Sequence, residues 1–192
     1  MKVFFSSDFH FNHSNILRYS NRPFKNVVEM NEAIIERWNK KVGKQDLAYF
    51  LGDFVFGRND MEFDMFFQRL NGLIVLVSGN HDKLTWRNRH KFYSAHKGYH
   101  EIKINDQDIT LNHYAQVTWN KKHHSAWCLC GHSHYGMAGV RKEGKVLGKI
   151  LDVGVDGNSF EPYSFEEIKT IMDAKPINCS IPELNDHHTN PN

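Results

Sequence analysis

The sequence sets polar side chains at the ends of apolar runs. Val3-Phe4-Phe5 leads to Asp8-Phe9-His10, Leu47-Ala48-Tyr49-Phe50-Leu51 to Gly52-Asp53, and Leu73-Ile74-Val75-Leu76-Val77 to Gly79-Asn80-His81-Asp82. Ile109-Thr110-Leu111 leads to His113, and Trp127-Cys128-Leu129-Cys130 to Gly131-His132-Ser133-His134. Carboxylates, an amide and imidazoles brought to one point in this way make a metal centre. Its candidate ligands are Asp8, His10, Asp53, Asn80, His113, His132 and His134. Mixed nitrogen and oxygen donors suit Mn2+, Fe, Zn2+, Co2+ or Ni2+ better than Ca2+ or Mg2+, which prefer oxygen. Seven ligands exceed one tetrahedral site and fit two metals about 3.5–4 Å apart that share a carboxylate. In an extended segment residues two apart point the same way. Asp8 with His10, and His132 with His134, are therefore expected to face the centre together. Cys128 and Cys130, two apart in an apolar strand, read as small buried hydrophobes.

Positioning these side chains takes several strands that end together. Strands are expected over Lys2 to Ser7, Asp46 to Leu51 and Leu73 to Ser78, nearly continuous in apolar residues because both faces are covered. Helices are expected over Asn26 to Val42 and Asn59 to Leu70, each opened by Asn with Glu three residues on. Tyr99 to Asn105 and Asp108 to His113 alternate about Asp106-Gln107, a hairpin signal. Trp127 to Gly131 and Lys145 to Val155 are further strands, and Ser164-Phe165-Glu166-Glu167 opens a last helix. Gly52, Gly79 and Gly131 stand in the ligand turns, where the backbone must bend tightly. A βαβαβ start followed by a more antiparallel second half predicts two packed sheets with helices outside.

The 192 residues are enough for a full core, and 40% hydrophobic content excludes a disordered chain. One domain is expected over residues 1–175, followed by a polar tail over 176–192. No apolar run approaches the roughly 18 residues that span a membrane. No signal-peptide pattern opens the chain, which points to a cytoplasmic protein. Three cysteines exclude a disulfide framework. A net charge of +2 excludes a strongly basic nucleic-acid binder. Histidine is over-used, with 13 residues. His90, His96, His100, His123, His124, His187 and His188 read as ordinary surface or core residues, unlike those at strand ends.

The ordered set Asp8-Phe9-His10, Gly52-Asp53, Gly79-Asn80-His81-Asp82, His113 and Gly131-His132-Ser133-His134 resembles the calcineurin-like metallophosphoesterase superfamily. Asn21-Arg22-Pro23-Phe24, and Asp152 to Asp156 followed by Pro162 and Glu166-Glu167, are similar to its small bacterial and phage members. The resemblance implies an α/β fold of the α+β type, a four-layer α/β/β/α sandwich of two mixed sheets with the metal site at strand ends. It implies one metal on Asp8, His10, Asp53 and His134, and a second on Asp53, Asn80, His113 and His132, with Asp53 bridging. It also implies a hydroxide between the metals attacking phosphorus in line, with His81 outside the ligand set as general acid to the leaving oxygen. Mn2+ is the preferred cofactor, with Fe, Zn, Ni and Co as alternatives. An imidazole that protonates a leaving alkoxide contributes about 10²–10⁴-fold. Asp82 either orients His81 or opens a helix over Leu84 to Arg89.

Substrate choice falls to the segments between motifs. Arg22 is the candidate for a bidentate phosphate contact, with a surface ion pair as the alternative. His13 and Asn80 are further candidates for reaching substrate, helix-start packing being the alternative for His13. Lys83 to His100 and Val117 to Trp127 mix basic and aromatic residues, as nucleotide or short nucleic-acid partners would require. The alternative is a solvated loop with core aromatics. The reading is a phosphodiesterase on nucleotide-type or other small phosphodiesters. The alternatives are a phosphomonoesterase or nucleotide pyrophosphatase on the same site, or a non-catalytic metal-binding scaffold.

Overall fold

Two parallel βαβ crossovers build the first sheet. The computed structural model describes residues 1–136 and 147–177. Strand β1 (Val3–Ser6) is followed by a short helix α1 (Ile16–Tyr19), the crossover helix α2 (Val27–Lys41) and β2 (Leu47–Phe50), parallel to β1. Helix α3 (Asp60–Phe67) crosses to β3 (Leu73–Val77), parallel to β2. The register sets Phe4 beside Ala48 and Ala48 beside Ile74. One face of the sheet, carrying Phe4, Ala48, Phe50, Ile74 and Leu76, packs with Met30, Ile34 and Trp38 of α2 and Phe63 and Phe66 of α3. The alternate residues Phe5, Tyr49, Val75 and Val77 join a second core. A continuous apolar strand thus feeds two cores at once, because successive side chains point to opposite faces.

The chain continues through α4 (Lys83–Arg87), β4 (Ser94–His96), β5 (Tyr99–Ile104) and β6 (Gln107–Asn112), then β7 (Trp127–Cys130), β8 (Ile150–Asp152), β9 (Tyr163–Ser164) and α5 (Phe165–Asp173). The first sheet has the order β4-β3-β2-β1-β9 and the second β5-β6-β7-β8. Both are mixed. β9 is the antiparallel member of the first sheet, and β5–β6 is the antiparallel pair of the second. The second sheet is less antiparallel than expected, since β6, β7 and β8 run parallel. Its inner residues Ile109, Leu111, Leu129 and Leu151 complete the second core with Phe165, Ile168 and Met172 of α5.

Local signals account for most boundaries. Asn26 and Asn59 cap their helices through the amides of Glu29 and Glu62. The two glutamates reach back to Lys25 and Arg58, one residue before each cap. Ser164 and Glu167 form the complete reciprocal capping box. The hairpin turn lies one residue earlier than its sequence signal. Asn105 and Asp106 have φ of 47° and 65°, the left-handed pair that a two-residue turn of type I′ requires. The expected strand from Lys145 begins outside the described residues and is observed as Ile150–Asp152; the expected tail falls largely over 178–192, also outside them. Among the described residues no helix is long and apolar enough to cross a membrane.

The two sheets meet at one edge. A bridge pairs Ser7, just past β1, with Gly154, just past β8. Parallel sheets gather ligands outside the carboxyl ends of their strands, and the polar pieces of the sequence lie there.

Candidate metal centre

All seven candidate ligands lie at this junction, in two neighbouring groups. Asp8, His10 and His134 form the first, and Asp53, His113 and His132 the second, with the potential ligand atoms of each within 4.8 Å of one another. The Asp53 Oδ2 atom lies 3.5 Å from His10 Nε2 and 3.4 Å from His113 Nε2, between the groups. Asn80 joins the second group through Oδ1, 2.9 Å from His113 Nε2.

Backbone turns, rather than strand alternation, bring these side chains together. Asp8, His10, Asp53, His132 and His134 have φ between 46° and 65°. Such left-handed backbone costs about 1–3 kcal/mol at a non-glycine residue and collects at functional sites. Both expected pairs of residues two apart face the centre, though the turns deliver them differently. Asp8 and His10 share a group, whereas His132 and His134 divide between the two. Glycine is required where loops touch. A Cβ on Gly79 would lie 2.5 Å from Asp53 Oδ1, and one on Gly131 would lie 2.5 Å from Asp8 Oδ2 and collide with Ser7 Oγ.

Two ring orientations follow from hydrogen bonds. His113 Nδ1 donates to the Leu51 carbonyl at 2.7 Å, which aims Nε2 at Asp53 and Asn80. His134 Nδ1 is held by Asp156 Oδ2 at 2.8 Å, which leaves Nε2 facing Asp8. Partners of this kind fix the tautomer of metal-binding histidines. Asp8 Oδ2 accepts from the His132 amide, but Asp8 Oδ1 and both ring nitrogens of His10 are buried with no hydrogen-bond partner. Buried polar atoms are rarely left so, and a cation between Asp8 Oδ1 and one ring nitrogen of His10 would satisfy both.

The electrostatics have the same origin. Burial pushes the Asp8 carboxyl up to about 7, with His113 and His134 opposing. Burial lowers His10 to about 2, so it presents a neutral ring. For Asp53 burial opposes the shift, yet the hydrogen bond and charge of His113 hold it down near 2. For His113 burial again opposes, but Asp53 and Asp8 raise it to about 9. Without metal, a proton on His113 occupies the space among Asp53, Asn80 and His113.

Other candidates take different places. His81 is exposed, its amide bonded to Asp53 Oδ1 at 2.8 Å and its ring 5.7 Å from that of His10. Its ring stands beside that of a candidate ligand. His13 stacks on Phe56 with ring centroids 3.8 Å apart and the planes within 9°. The expected phosphate contact at Arg22 is corrected, and so is its alternative as a surface pair. Arg22 is 5% exposed and forms a buried ion pair with Asp156. Asp82 stands at the start of α4, as one expectation had it, but its side chain caps no helix amide. Its carboxylate accepts the amides of Asp53, Phe54 and Gly79, joining two ligand loops. Phe92, Trp119 and Trp127 are core residues, and Arg87, Lys91 and Lys121 pair with Asp60, Asp64 and Asp108. Tyr93 of the same segments is exposed.

In the sequence Asp152 and Asp156 stand out only as part of a motif. Asp152 accepts from Ser133 Oγ and the amides of Tyr135 and Gly154, shaping the loop that carries His132 and His134. The carboxylate run from Asp152 to Asp156 directly after an apolar strand is the signal that could have marked both.

Residues 1–153 match the calcineurin-like phosphoesterase superfamily domain. The chain belongs to that superfamily. It is a metal-dependent phosphoesterase, a hydrolase of phosphoric esters. The uncharacterized protein MJ1445 of Methanocaldococcus jannaschii is 33% identical over 184 residues, covering 95% of this chain and 98% of that protein. The crystal structure of the protein of unknown function AQ665 from Aquifex aeolicus is similar with a TM-score of 0.72 at 26% identity, covering 88% of this chain and 98% of that one. The superfamily implies divalent cations, and the unpartnered donors of Asp8 and His10 fit them.

Proposed function

We propose that this phosphoesterase is binuclear and acts on small phosphodiesters, including those of nucleotide type. The observation that carries the reading is Asp53 Oδ2, 3.4–3.5 Å from the Nε2 atoms of both His10 and His113. One carboxylate placed between two groups of donors suits two cations that share it. Asp8, His10 and His134 would hold the first with Asp53, and Asn80, His113 and His132 the second. Divalent cations there, Mn2+ by preference, supply Lewis acidity that lowers the pKa of water and offsets charge on phosphoryl oxygens.

The chain's own residues do the rest. Asp53 and Asn80 orient the centre. His81, tied through its amide to Asp53, stands free to donate a proton to the departing alkoxide during in-line displacement. The diester preference rests on charge. A monoester dianion is best held by a bidentate guanidinium, and Arg22 has every N–H engaged internally. A singly charged diester makes less demand.

The test is a paired assay of 4-nitrophenyl phosphate and bis(4-nitrophenyl) phosphate at equal Mn2+. A higher kcat/KM for the diester is expected, and a clear monoester preference would reverse the assignment.

A further inference from the structure

The binuclear reading treats the two cation sites alike, but their supports differ. Arg22 stands 134 positions from Asp156 in the chain, and both side chains are buried. Its guanidinium uses all of its donors. Nε and Nη2 each grip one Asp156 carboxylate oxygen at 2.8 Å. Nη2 also donates to the Asp8 carbonyl at 2.7 Å, and Nη1 to the Phe9 carbonyl at 2.9 Å and to Met30 Sδ at 3.3 Å. Asp156 Oδ2 in turn holds His134 Nδ1 at 2.8 Å. One planar fork thus fixes the backbone at Asp8 and Phe9, immediately before His10, and the ring of His134. These are the three residues of the first group, each with left-handed backbone.

The second group is held by other means. The Leu51 carbonyl orients His113, and Asp82 clamps the loops of Asp53 and Gly79. Neither Arg22 nor Asp156 hydrogen-bonds to Asp53, Asn80, His113 or His132.

We propose that Arg22 and Asp156 are positioning residues for the first cation site, setting occupancy at Asp8, His10 and His134, while the second site keeps its own supports at Leu51 and Asp82. Lysine cannot replace the fork, because an ammonium supplies the charge without two parallel bonds and two carbonyl contacts. The inference rests on the binuclear reading.

The test compares wild type, Asp156→Asn and Arg22→Lys by calorimetric titration with Mn2+, metal analysis after desalting, and electron paramagnetic resonance of bound Mn2+. Wild type is expected to bind two ions with a coupled spectrum. Each variant is expected to keep one ion at wild-type affinity and to bind the other about 10–100-fold more weakly, as loss of a ligand's hydrogen-bond partner does, with an uncoupled single-ion spectrum. Circular dichroism checks folding, and Asp156→Asn decides if Arg22→Lys is unfolded. Two ions at wild-type affinity in Asp156→Asn, or equal weakening of both, would overturn the inference. A wild type that binds one ion would instead remove the binuclear reading on which it stands.

Discussion

In the first group of ligands three buried atoms, Asp8 Oδ1 and both ring nitrogens of His10, have no partner. In the second, His113 Nε2 already faces Asn80 Oδ1 at 2.9 Å and Asp53 Oδ2 at 3.4 Å. The first group is held rigid by a buried ion pair, the second by backbone groups and Asp82. The contrast separates two ways of preparing a cation site. One leaves donors desolvated and unmet, so that a cation relieves the cost of burial. The other is satisfied by a proton, which a cation must displace.

The largest effect should come from removing what the two halves share. Asp53→Asn is expected to lower turnover of an aryl phosphodiester in Mn2+ by about 10³-fold or more, as loss of several kcal/mol of charge stabilisation implies. Activity within tenfold of wild type would show that the halves work without a common carboxylate. His81→Ala should next separate proton donation from ligation. Diesters with alkoxide leaving groups are expected to slow by about 10²-fold, 4-nitrophenolate esters to change little, and metal content to stay the same.

The comparison also sets a dependence on pH. His113, raised to about 9, stabilises the metal-free fold below its ordinary value of 6.5, and that stability is lost as pH rises through about 9. Asp8, raised to about 7, adds a penalty that grows from 3.8 up to about 7 and then stays. His10, lowered to about 2, affects stability only below 6.5. Between pH 6.5 and 9 the chelated protein should therefore lose about 3 kcal/mol, or roughly 6–12 °C in Tm. The Mn2+-loaded protein should change less, so thermal melts with and without chelator should diverge as pH rises. The smallest effect is expected at Asp82→Asn, about 1.5 kcal/mol from mismatched amide partners, with a larger loss of Mn2+ affinity at the second site than at the first in a titration.

The sequence announces the ligands because each follows a strand within a few residues, and the apolar strands show as continuous runs. Strands β4 and β9 give no such signal, being three and two residues long. The supports are silent for another reason. Arg22 and Asp156 meet across 134 positions, and no periodicity links them. Arg22 looked like a surface phosphate contact because charge and motif position are visible in a sequence, whereas burial against Asp8 and Phe9 carbonyls is not. Left-handed backbone at Asp8 and His10 is equally hidden, since both were read as continuing an extended strand.

The bridge between Ser7 and Gly154 has a mechanical consequence. Asp8 and His10 follow the first sheet while His134 follows the second, and Asp53 likewise faces His113 and His132 across the seam. Each cation would act as a rivet through both sheets. Stripping the metal should then let amide hydrogens near the seam exchange faster with solvent, while those of α2, packed on the first sheet away from the ligand loops, keep their protection.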